Sequence, residues 1–183
     1  MGIRETMAAA FSRFKDPVSG LTHFVGVLLS LAALGALLWK TSHPLRPWQL
    51  ASCAVFGTGL ILLYTVSTLY HWLLLPEKGS ALLRRLDHIM IFVLIAATYT
   101  PFCLGPFRGA LGWSMFAAVW GIALLGTVFK LFWMDAPRTV STLLYVGMGW
   151  IVVLGAGPVI RGLEGGALFW LVAGGLLYTA GAV

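Results

Sequence analysis

Ser67 and His71 stand four residues apart in a long apolar stretch, and Asp87 and His88 follow after a short polar break. On an α-helix, residues four apart share one face and lie about 6 Å apart along the axis. A hydroxyl, an imidazole and a carboxylate at similar depth could ligate a borderline cation such as zinc, relay a proton, or close a hydrogen-bonded polar knot. His23, in the apolar stretch before, adds a third imidazole. The plainer arrangement is an ordinary surface bridge from Arg84 or Arg85 to Asp87, with each histidine reaching water at an interface. Spacing alone is no metal signature here, because the chain holds neither a Cys-x-x-Cys nor a His-x-x-x-His pair.

The elements that must position these groups are helices that cross a bilayer. Hydrophobic residues make up 60% of the chain and charged residues 10%, and the mean hydropathy is +0.93. A water-soluble domain carries about a quarter charged residues. Crossing about 30 Å of hydrocarbon takes about 20 apolar residues at 1.5 Å each. Six runs meet that need, at 21–39, 48–75, 86–104, 110–133, 139–160 and 167–183, after a polar segment 1–20. The expected fold is an all-α integral membrane protein. A β-barrel would need segments of about ten residues with alternating polarity, and these runs are longer and uniformly apolar. Short breaks such as Pro76-Glu77-Lys78-Gly79 make consecutive helices antiparallel neighbours. The turn between the second and third runs brings His71 and Asp87 to similar depth, and His23 joins them from the first run.

Lys and Arg on alternate sides of six crossings number eight on the N-terminal side and four on the other, which predicts a cytoplasmic N-terminus. Basic residues scattered this way suit contact with membrane lipid headgroups and form no stripe for nucleic acid. Trp39, Trp48, Trp72, Trp113 and Trp133 lie near run ends, where amphipathic rings suit the headgroup layer. Cys53 and Cys103 fall inside apolar runs and read as small buried hydrophobes. Glycines inside the runs let helices approach closely, as in a compact bundle. The first sixteen residues lack a signal-peptide pattern, so the first helix is expected to stay as an anchor. The last run is still apolar at Val183, as if cut.

Several stretches carry a family resemblance: Leu21-Thr22-His23-Phe24-Val25-Gly26, Ser67-Thr68-Leu69-Tyr70-His71, Arg85-Leu86-Asp87-His88 with Thr98-Tyr99-Thr100-Pro101-Phe102, and Tyr145-Val146-Gly147-Met148-Gly149-Trp150. Together they resemble the bacterial haemolysin III family, within the superfamily of progestin and adipoQ receptors. The resemblance implies a seven-helix bundle in the bacterial plasma membrane, of which this chain holds six helices, and a zinc ion near the cytoplasmic face. It implies His71 as a zinc ligand and Asp87 as the contact to a zinc-bound water, with two further ligands from a His-x-x-x-His on a seventh helix. This sequence holds no such pair, so zinc is expected to bind poorly, with the chain a truncated form. His23 and His88 are the remaining candidates to support the site.

A complete site of this kind implies metal-assisted hydrolysis, with Asp87 as base, His71 as ligand and Ser67 as an orienting hydroxyl. The superfamily's similarity to ceramidases points to an amide-bearing lipid. The alternatives are a cytolytic pore, which the family name carries, and a regulator of membrane lipid composition without catalysis. A pore should repeat polar residues through the full membrane depth, whereas the polarity here gathers at one end.

Overall fold

The structure, a computed structural model, describes residues 14–182. Residues 1–13 of the polar N-terminal segment, with Arg4 and Arg13, and Val183 lie outside them. Four long helices come first: α1 (Pro17–Ser42), α2 (Pro47–Trp72), α3 (Glu77–Leu104) and α4 (Ala110–Phe132). The fifth crossing is broken into α5 (Arg138–Gly149), a 3₁₀ segment Trp150–Gly155 and α6 (Ala156–Gly162), and α7 (Gly165–Ala182) follows. Five of these crossings have membrane-spanning length and hydropathy. The sixth apolar run forms the 18-residue α7, about 27 Å long at 1.5 Å per residue. The chain is an all-α integral membrane protein.

Local chemistry explains the boundaries. α1 begins at Pro17, whose missing N–H costs nothing at a first helical position, and Asp16 caps it by accepting the Ser19 N–H at 3.3 Å. α3 begins at Glu77, nine residues before the apolar run, because a helix in the headgroup layer can carry charged turns outside the hydrocarbon. The charged opening of α3 thereby places Lys78, Arg84 and Arg85 on the same continuous helix as Asp87.

α3 is the central strut. Its Phe92, Ile95, Ala96, Tyr99 and Cys103 pack with Met115, Val119 and Ala123 of α4 and with Tyr145 and Met148 of α5. Outside this core the helices present large apolar side chains, including Leu29, Leu125, Phe132 and Leu154, the inverse of a water-soluble surface. Small residues set the closest approaches. A Cβ on Gly126 would lie 2.5 Å from the Phe92 ring, and one on Gly57 would lie 2.5 Å from Leu34. Cys53 and Cys103 are free thiols.

Candidate functional site

Most hydroxyls in the spanning helices are satisfied within their own helix. Ser30, Thr41, Thr68, Thr98 and Thr127 each donate to the carbonyl four residues earlier, at 2.7 to 2.8 Å. Ser67 departs from this pattern. Its buried hydroxyl is hydrogen-bonded across the α1–α2 interface to His23 Nδ1 at 2.9 Å. One turn further along α2, His71 lies beside His23, with ring centroids 5.3 Å apart.

His71 has its own partner, Asp16. The Asp16 carboxylate lies 3.3 Å from His71 Nδ1, and the Asp16 backbone N–H donates to the His71 carbonyl at 2.7 Å. A carboxylate only accepts, so the His71 hydrogen sits on Nδ1, and in the neutral ring Nε2 carries the free lone pair. Hydrogen bonds from Ser19, and after them the neighbouring His71, hold the Asp16 carboxyl below the usual carboxylate range. Asp16 is therefore an anion that fixes the ring of His71. Trp72 closes the corner, its indole N–H reaching the Pro17 carbonyl at 3.5 Å and its ring packing at a tilt against Phe24.

Sequence spacing placed Ser67 and His71 on one face, and the structure gives them different partners: Ser67 pairs with His23, and His71 with Asp16. Asp87 is half-buried and close enough to His23 for its charge to act there, as are Asp16 and His71. Among the described residues Asp87 forms no ion pair, and Arg84 bridges instead to Asp135 at 3.6 Å. His88 is turned to structural work. Its Nδ1 donates to the Arg84 carbonyl at 2.8 Å, and its own carbonyl accepts the Tyr145 hydroxyl at 3.1 Å. Asp16 is the residue that sequence reasoning missed. Its signal was its place as a capping residue before Pro17, which reads as helix punctuation and not as chemistry.

The donor set meets the needs of a zinc ion only in part. Two imidazoles stand side by side, and His71 has its Nδ1 fixed by a carboxylate, the outer-shell support that metal-bound histidines need. Among the described residues, however, no three His, Cys, Asp or Glu side chains converge in a metal-holding group. These residues by themselves do not make a zinc site. An apolar crevice of about 590 Å³ lies elsewhere, lined by Tyr99, Trp150 and Tyr178 among others. Tyr99 stands twelve residues along α3 from Asp87, about 18 Å away, and no histidine is among the residues that line the crevice.

Comparison with known proteins identifies the family. The family model described as Haemolysin-III related matches residues 11–183. The chain belongs to the haemolysin III family. It is 38% identical over 173 residues to the Hemolysin-3 homolog of Bacillus subtilis, covering 94% of this chain and 81% of that protein. It is 39% identical over 169 residues to Hemolysin-3 of Bacillus cereus, covering 92% and 77%. A more distant relative is the human Monocyte to macrophage differentiation factor, 28% identical over 147 residues, covering 74% of this chain and 58% of that protein. No solved structure matches. As a haemolysin III family member with these spans, the chain is a multi-pass membrane protein.

Proposed function

We propose that this haemolysin III family protein hydrolyses an amide or ester bond of a membrane lipid, with His71, Asp16, His23 and Ser67 as its reactive centre. The observation that carries this reading is the pair of adjacent imidazoles, each engaged at Nδ1 by a fixed partner, at one end of the α1–α2–α3 unit. A polar cluster held at this depth is costly in a bilayer, and such clusters mark function. The excess of Lys and Arg at that end supports its assignment to the cytoplasmic face of the plasma membrane. A substrate bond just beneath the headgroups would then meet the cluster directly.

His71, anchored by Asp16, presents the lone pair at Nε2 and takes the proton of a water that attacks the substrate carbonyl. As the C–N or C–O bond breaks, the same ring returns that proton to the leaving amine or alcohol. An acid–base group of this kind contributes about 10²–10⁴-fold to a rate. Ser67 orients His23 through the hydrogen bond at its Nδ1, and Asp87 supplies a second negative charge that favours proton transfer toward the imidazoles. No step is assigned to zinc, because the described donors do not complete its coordination.

The test is turnover of a labelled lipid amide and its ester analogue by the purified chain in vesicles. His71→Ala is expected to lower turnover about 100-fold or more. Asp16→Asn should lower it less, since the ring remains and only its orientation loosens. Turnover unchanged in His71→Ala would remove the centre from consideration, and so would no turnover of either lipid by the unaltered chain. Metal analysis of the same preparation should find well under one zinc per chain, and a full equivalent would show that the donor set is complete after all.

A further inference from the structure

Lys130 is 2% exposed, near the end of α4. Among the described residues its hydrogen bond is to a neutral group, the hydroxyl of Ser141 on α5, at 2.6 Å. No carboxylate lies within ion-pairing distance of it among those residues, and its flank is the Phe129 ring, 5.6 Å from the ammonium. The charges that act on it from neighbouring elements are those of Arg84 on α3 and Asp135 in the α4–α5 turn. Asp135 is already shared with Arg84. Arg85, next along α3, has a buried Nε without a hydrogen-bond partner, and Arg138 begins α5. The corner where α3, α4 and α5 meet thus sets the charges of Arg84 and Lys130 against the single carboxylate of Asp135. An enclosed ammonium without a counter-charge is unfavourable, and an anion from outside the protein relieves it.

The neighbouring surface indicates what kind of anion. Immediately after Lys130, Leu131, Phe132 and Trp133 are exposed at 47%, 87% and 52%, so the basic corner borders an open apolar band. A ligand seated there can place a charged head on the basic side chains while its acyl chains run deeper along α4, over the exposed Val128 and Leu125. We infer that this corner binds the phosphate of an anionic phospholipid, with Arg84 and Arg85 at the rim and the Lys130–Ser141 pair as the buried anchor. The site is separate from the histidine cluster and does not depend on hydrolysis.

The test uses the 183-residue chain in a neutral detergent, with lipid binding counted by native mass spectrometry. Dioleoyl phosphatidylglycerol and dioleoyl phosphatidylcholine share their acyl chains and differ in net headgroup charge. The glycerol lipid should saturate one site and bind at least about tenfold more tightly, as two or more basic contacts predict. Arg84→Gln changes a half-exposed side chain and should weaken that binding about fivefold. Lys130→Gln should weaken it further where it folds. Lys40→Gln, at the opposite end, should leave it unchanged. Equal binding of the two lipids, undiminished affinity in Arg84→Gln, or an equal loss in Lys40→Gln would overturn the site. Displacement of the lipid by millimolar inorganic phosphate would overturn its assignment to a lipid.

Discussion

Asp16 shows how one residue can serve two levels of structure. Its carboxylate caps the start of α1 by accepting the Ser19 N–H, and the same group fixes His71 on α2. The carboxyl titrates below the ordinary value of about 3.9 in the folded chain and returns to it on unfolding. The stability it contributes is therefore complete above that value and is lost as pH falls through the lower folded value. Thermal unfolding in detergent should show an acid-dependent fall in Tm below about pH 4. In Asp16→Asn that part of the acid dependence should vanish, with a lower Tm at neutral pH. Parallel curves for the two proteins would show that the carboxylate contributes nothing to the fold.

At the scale of elements, the broken fifth crossing matters most. A 3₁₀ segment inside a membrane span frees backbone groups that no water can satisfy. Tyr99 of α3 supplies the missing partners. Its hydroxyl donates to the Gly149 carbonyl at 2.6 Å and accepts the Val152 N–H at 3.0 Å. Tyr99→Phe leaves both groups unpaired in the core and should destabilise the protein by about 1–3 kcal/mol, read from unfolding in a denaturing detergent. Gly126 is the corresponding constraint between α3 and α4. Gly126→Val pushes two methyl groups into the Phe92 ring and should cost about 1–3 kcal/mol through overpacking. A wild-type transition in Tyr99→Phe would mean that the break is held by other contacts.

Across the whole molecule, the helical architecture was legible because hydropathy reports the solvent, and a bilayer leaves long apolar runs as its record. Element ends were less legible: the charged turns that open α3 lie in a layer where hydropathy falls while the helix continues. The break after Gly149 was marked only by Gly147, Gly149, Gly155, Gly157 and Pro158, which loosen a helix without saying where it breaks, and the stabilising hydroxyl lies some fifty residues away in sequence. In the candidate site, the face shared by Ser67 and His71 and the arrival of His23 followed from spacing and antiparallel packing. The Asp16 contact did not, because it joins residues fifty-five apart through the docking of one helix start on another helix end. The same distribution of polarity bears on permeation. The cross-helix polar contacts at Asp16, His23, Ser67 and His71 and at Arg84, Lys130, Asp135 and Ser141 all gather at one end of the bundle. Deeper in, Phe92, Ile95, Ala96, Val119 and Ala123 are packed without a polar path, and Thr100 and Trp120 satisfy each other at 3.2 Å. Ions crossing such a bundle would have to shed water in an apolar core, which is strongly unfavourable. The chain reconstituted in planar bilayers is therefore expected to leave conductance at the lipid background, and discrete current steps that scale with protein content would contradict a closed core.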